Sequence, residues 1–292
     1  MDDVEQPNLQ RRGRLLLLAA ALLWSTSGFF VKSPPLERLP AEQRGPILTF
    51  YRALFATICL VPFVRRRNIR WRPALVPMSG IFATMNLLFL TAMTMTTAAA
   101  AIFLQYTSTV WAFVLGWLFL RERISRGNLI ALLCAVSGII WIVTADRAGQ
   151  HGSGNLIALG SGLTYACVIL FLRHLRRENS AWLIVVNHTV TTLLMLPWIL
   201  MSDVELEPIQ WAVLATMGIV QMGIPYTLFA YGIRHVKVQE AALIVLLEPI
   251  LNPLLVWMSW GESVGSATWI GGAFIVGGLV IRYGLFRSNG ES

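Results

Sequence analysis

The chain has 292 residues, 56% of them hydrophobic and only 13% charged, with a mean hydropathy of +0.64. A soluble domain carries about 25% charged residues, so a soluble globular protein is excluded before any motif is read. The net charge of +8 sits mostly in short gaps between apolar runs, which points to membrane topology and lipid headgroups as the reason for it and gives no call for a nucleic-acid partner.

Residues 1–14 read as a cytoplasmic N-terminal tail whose first ten residues, mostly polar, are expected to be disordered. Arg11, Arg12 and Arg14 then precede an apolar run from Leu15 to Val31 that exceeds the hydrophobic region of a secretory leader, so it reads as a retained anchor. Further runs near 20 residues follow at 46–63, 74–92, 97–119, 127–144, 155–172, 181–200, 210–232, 238–260 and 266–283. The fold class is therefore all-α and integral to the membrane, with ten transmembrane helices. The least marked boundary is Met93 to Thr96, between the third and fourth spans. A polar, glycine-bearing linker, 145–154, divides a first five-helix unit (15–144) from a second (155–283), and 284–292 is a short cytoplasmic tail.

Alternating the gaps tests that count. With the N-terminus inside, 18 of the 23 basic residues fall in inner segments, while Lys32, Arg38, Arg44 and Arg147 fall outside and Arg52 lies within a span. The asymmetry fixes the register and places both termini in the cytoplasm of a multi-pass cell-membrane protein. An odd number of helices per unit means that a tandem copy must be inverted. The copies are visible: adding 140 maps Ala98–Ile140 onto Val238–Val280 without a gap, pairing Trp117 with Trp257, Glu122 with Glu262 and Gly138 with Gly278.

The ninth span carries the sharpest signal. Glu248 lies at about 1.5 Å per residue roughly 13 Å from Gln239 and roughly 21 Å from Glu262, deep in an apolar run where a lone carboxylate costs several kcal/mol unless it faces a cavity or a partner. A carboxylate so placed can exchange a proton as its surroundings change, which makes Glu248 the candidate proton-coupling residue. Asn252 shares its helix face, and Pro249 and Pro253 release the carbonyls of Val245 and Pro249 from the helical ladder. Arg52 in the second span is read either as a functional cation or as half of a structural ion pair.

Other polar and aromatic residues dot the spans, among them Ser25, Ser27, Asn86, Asn187 and His188. Trp24, Gln105, Tyr106, Tyr165, Gln221, Tyr226 and Asn252 form the candidate substrate-binding set: apolar walls with a few orienting amides, the usual make-up of a small-molecule pocket. Small residues at four-residue spacing, Ala158, Gly162 and Ala166 in the sixth span and Ala273 and Gly277 in the tenth, read as helix-packing stripes. No span bears a metal-ligand spacing, the three cysteines show no paired spacing, and neither a catalytic triad nor a phosphate loop is present, so no metal and no cofactor is called for.

Trp24-Ser25-Thr26-Ser27-Gly28-Phe29-Phe30-Val31-Lys32 resembles the first-helix signature of EamA-type members of the drug/metabolite transporter superfamily. Phe50-Tyr51-Arg52 is similar to their second-helix arginine motif, and Leu247-Glu248-Pro249 through Gly261-Glu262 resembles their ninth helix. The resemblance implies two inverted five-helix repeats around a central cavity, and export or exchange of small metabolites. The first half departs from the pattern by carrying Ser108-Thr109 opposite Glu248-Pro249, so a symmetric pair of acidic sites or proline hinges is not implied. The leading expectation is a secondary transporter moving a small organic solute, such as an amino acid or a related amphipathic molecule. An integral membrane enzyme and a non-transporting membrane subunit are the alternatives.

Overall fold

A computed structural model describes residues 2–120, 126–145 and 151–284. Among them are ten helices long and apolar enough to cross a membrane: α1 (Asn8–Val31), α2 (Ala41–Phe63), α3 (Leu75–Met95), α4 (Ala98–Phe119), α5 (Arg126–Thr144), α6 (Gly152–His174), α7 (Ser180–Leu200), α8 (Pro208–Gly232), α9 (Glu240–Trp260) and α10 (Ser266–Gly284). Ahead of α1 the helix extends back to Asp2, so the start of the tail is helical where disorder was expected. Glu5, Gln6, Leu9, Gln10 and Arg11 are good helix formers, and propagation from an anchored helix is cheap compared with nucleation. The indistinct boundary between α3 and α4 is made by Thr97, whose side chain accepts from the Ala100 N–H at 3.1 Å and caps the new helix.

The two halves interleave. Helix α1 packs on α8 and α6 packs on α3, so each half lends its first helix to the other, while α2–α7 and α5–α10 pair across the repeat. The polar contacts sort the connections into two ends. Arg14 meets Glu240, Arg72 meets Glu178 and Trp182 donates to the Arg70 carbonyl at one end; Lys32 meets Glu262, Arg38 meets Glu207 and Ser202 donates to Gln43 at the other. The repeat partners Trp117 and Trp257 are 54% and 56% exposed, alike in their surroundings as equivalent positions of the two copies would be.

Close crossings explain the α5–α10 pair. A Cβ on Gly271 would lie 2.6 Å from the Gly138 carbonyl oxygen and one on Gly278 2.6 Å from the Cys134 Cβ, so the backbones touch only because both positions are glycine. This corrects the expected stripe on the tenth span. Ala273 is exposed and Gly277 has open space beside it; the packing face is Gly271, Gly272 and Gly278. Small residues at four-residue spacing occur on two faces of this glycine-rich helix, and spacing alone does not say which one is buried. In α6, by contrast, Ala158, Gly162 and Ala166 are all buried, and Gly162 presses against the Leu104 carbonyl and Thr107 hydroxyl of α4.

Four spans are interrupted at depth. Helix α1 breaks at Ser25 and Thr26, whose hydroxyls donate to the Ala21 and Leu23 carbonyls and compete with the backbone ladder. Helix α4 breaks at Thr107, between Tyr106 and Ser108, and α9 breaks at Leu246 and Leu247, just ahead of Glu248 and Pro249. Thr107 and Leu247 are 140 positions apart, the offset of the internal repeat. In α8, residues Met217–Gly223 form a π-helical turn that ends two residues before Pro225, where the missing N–H cannot continue the α-helical ladder.

Candidate functional site

The interruptions converge. Tyr106, the last residue before the α4 break, donates its hydroxyl to Glu248 Oε2 at 2.7 Å and lies 3.1 Å from the Val245 carbonyl oxygen. That carbonyl is one that Pro249 withholds from the helical ladder, so the phenol serves both the carboxylate and the broken backbone that presents it. First-half tyrosine and second-half glutamate thus meet at the paired breaks. Tyr165 from α6 and Tyr226 from α8 lie within electrostatic reach of the same carboxylate, and so does Arg52 from α2. Glu248 and the three tyrosines are each only partly buried, in keeping with walls that face a cavity.

A belt of aromatic rings extends from this cluster. Trp24 sits edge-on to Tyr226 at 5.3 Å and beside Phe229 at 5.4 Å; His188 lies between Tyr226, at 5.7 Å, and Phe82, at 5.1 Å. The structure therefore brings Trp24, Tyr106, Tyr165, Tyr226, Glu248 and Arg52 together from α1, α2, α4, α6, α8 and α9. The three amides differ. Asn252 is fully buried and donates to Ser27 Oγ at 2.6 Å, tying α9 to the α1 break, where only a glycine at position 28 leaves room for it. Gln105 donates weakly to Met85 Sδ at 3.7 Å, and Gln221 lies within the π-helical turn with no partner for its Oε1.

Arg52 is 2% exposed and donates to Asn86 Oδ1, which is itself held by the Asn86 amide donating to the Phe82 carbonyl at 3.0 Å. Among the described residues it has no acidic partner at ion-pair distance, Glu248 acting on it only at longer range. Asn86 and His188 were visible in the sequence as polar residues within spans. Nothing there singled them out, because a span that is apolar all round gives no phase by which to aim a side chain.

One end of the bundle is closed by a compact network. Lys32 pairs with Glu262 at 2.9 Å and donates to the Thr96 carbonyl at 2.8 Å, while Glu262 accepts the Ala98 N–H at 2.8 Å at the start of α4. The lysine and glutamate side chains are 14% and 18% exposed. At the opposite end, a cavity of about 470 Å³ is lined by Arg72, Ala74, His174, Arg177 and Glu178 among others. It lies among the connecting segments, separate from the central cluster. Among the described residues, no group of His, Cys, Asp or Glu could hold a metal ion.

Two inverted units of five spans, interlocked around a shared polar and aromatic centre, define a multi-pass membrane protein of the inverted-repeat transporter class. The EamA-like transporter family matches residues 11–144 and again 152–283, and the chain belongs to that family. An uncharacterised transporter of Archaeoglobus fulgidus is 28% identical, over 94% of this chain and 97% of its own. The pseudopaline exporter of Pseudomonas aeruginosa is 24% identical over 92% and 95% of the two chains, and the biotin transporter of Escherichia coli 22% identical over 89% of each. A solved crystal structure superposes with a TM-score of 0.65 at 18% identity, covering 94% of this chain and 97% of that one, and so shares the fold.

Proposed function

We propose that the protein is a secondary transporter that exports or exchanges a small organic solute across the cell membrane by alternating access. The observation that carries this reading is the Tyr106–Glu248 contact at the paired breaks of α4 and α9, where the two inverted halves share one partly exposed carboxylate. Inverted repeats can exchange conformations about such a centre, and broken helices present backbone and side-chain polar groups where an intact helix could not. Relatives named as a pseudopaline exporter and a biotin transporter support a small-molecule cargo. Trp24, Tyr106, Tyr165 and Tyr226 form the apolar walls in this reading, with Gln105, Gln221 and Asn252 as the amide groups.

Glu248 couples solute movement to proton movement. The groups that face it are the Tyr106 hydroxyl and, at longer range, Arg52, Tyr165 and Tyr226, so its charge is felt by α2, α4, α6 and α8 together. A charge that is present in one conformation and neutralised in the other biases which of the two the halves adopt. Glu248→Gln keeps the size and the hydrogen-bonding capacity and removes the titration. In proteoliposomes this variant is expected to retain solute-for-solute exchange and to lose the dependence of net flux on a pH gradient. Wild-type net flux with an unchanged pH profile would remove Glu248 from the coupling role.

A further inference from the structure

Arg52 presents an unmet requirement. It is among the largest fully buried side chains; among the described residues its Nη1 has no hydrogen-bond partner, and the side chain it does donate to, Asn86, is neutral. Glu248 lies within electrostatic reach but forms no ion pair with it, its Oε2 accepting instead from Tyr106. A buried guanidinium with no anion hydrogen-bonded to it is costly at membrane depth, because a carboxylate acting only at longer range offsets little of the desolvation of the charge. The groups around it are also unmet. Among the described residues His188, 1% exposed and within electrostatic reach of Arg52, has no partner for either ring nitrogen, and Gln221 Oε1 has none. Gln221 belongs to the same π-helical turn as Gly218, which approaches α2 so closely that a Cβ there would lie 2.9 Å from the Arg52 carbonyl oxygen. Buried side chains of α2, α7 and α8 thus each carry at least one unpartnered polar atom, and His188 among them is part of the aromatic belt of the central site.

We propose that Arg52 is the anchor for a carboxylate on the transported solute, with the His188 ring N–H as a second donor and Gln221 Oε1 accepting from a hydroxyl, amide or ammonium group of the same molecule. This names a substrate class, carboxylic acids bearing a hydrogen-bond donor, and it rests on the reading of the central cluster as a transport site. With Nη2 given to a neutral amide and Nη1 unpartnered, the guanidinium keeps both a donor and its charge for an oxyanion. Asn86 is a positioning residue: it aims the guanidinium without neutralising it, which leaves the positive charge for the solute.

The test compares solutes that differ only in that group. Phenylacetate and phenylacetamide, and L-phenylalanine and L-phenylalaninamide, are measured with phenethylamine for flux into proteoliposomes. Wild type is expected to favour each acid over its amide by about 10- to 100-fold, the range of a charge-assisted hydrogen bond made to one and not the other. Arg52→Gln should abolish that preference. Asn86→Asp supplies a carboxylate to the guanidinium from within the protein, and this variant should fold and lose the acid-over-amide preference through competition for the same charge. Amides or phenethylamine carried by wild type as fast as the acids, or an Asn86→Asp variant that keeps the preference, would overturn the assignment and leave the transport reading intact. Absence of flux for every solute would overturn both.

Discussion

At the scale of single residues, the centre of the molecule depends on one phenol. Tyr106 is the side chain through which the first half touches both Glu248 and the carbonyl that the α9 break exposes. Tyr106→Phe keeps the ring and removes that link, so it is expected to cost about 1 kcal/mol of stability, the net worth of a hydrogen bond to a partly exposed acceptor. Thermal unfolding in detergent micelles checks it; an unchanged midpoint would mean that water serves the carboxylate and carbonyl equally well. Glu248 was legible in the sequence because a lone acid in a 20-residue apolar run has few bland explanations. Tyr106, Tyr165, Tyr226 and Trp24 were legible as a set that the structure gathers around it, and Gln221 was named with them, whereas nothing singled out Asn86 and His188 or linked any of the three to Arg52. Asn86, His188 and Gln221 sit on helices apolar on every face, where sequence period carries no phase, and only tertiary packing decides which of them meet.

Among the elements, the breaks and the glycine crossings show where local chemistry was readable and where it was not. Pro249 announced the interruption of α9. The matching interruption of α4 has no proline: Ser108 and Thr109 stand there instead, and the turn forms at Thr107, whose hydroxyl donates to the Leu104 carbonyl at 2.5 Å while Gly162 of α6 leaves it room. The repeat therefore conserves the position of the break between its two copies while changing the residue that makes it. The α5–α10 crossing gives a sharper test. Gly271 meets the Gly138 backbone directly, whereas Gly277, on the same helix, has open space beside it. Gly271→Leu is expected to force the helices apart and cost about 2–3 kcal/mol or more, as overpacking does. Gly277→Ala should instead be neutral or stabilising by about 0.5–1 kcal/mol, since it adds helix propensity without a clash. Equal effects of the two on unfolding temperature would show that α10 does not use the glycine face described.

For the molecule as a whole, the arrangement of charge is the property most directly inherited from the sequence. Contacts between connections separate an end rich in arginine, with Arg65–Arg67, Arg70, Arg72, Arg173, Arg176 and Arg177, from an end that carries Glu37, Glu42, Asp203, Glu205, Glu207 and Glu262. The surface pairs of the two ends, Arg72–Glu178 and Arg38–Glu207, join equivalent connections of the inverted halves with the signs exchanged. Arg38–Glu207 is exposed on both sides and contributes little stability, while the Glu178 side chain of the other pair is largely buried. Neither sets sidedness, which follows from the unequal numbers of basic residues that the insertion machinery retains on the cytoplasmic side. The arginine-rich end, with both chain termini, is accordingly expected to face the cytoplasm. In a background where Cys59, Cys134 and Cys167 are replaced, Glu205→Cys should react in intact cells with a membrane-impermeant maleimide, and Asn68→Cys only after the membrane is opened. The reverse pattern would invert the molecule and with it the direction assigned to transport; reaction of both in sealed cells would mean that the connections do not alternate, which two inverted five-helix units require.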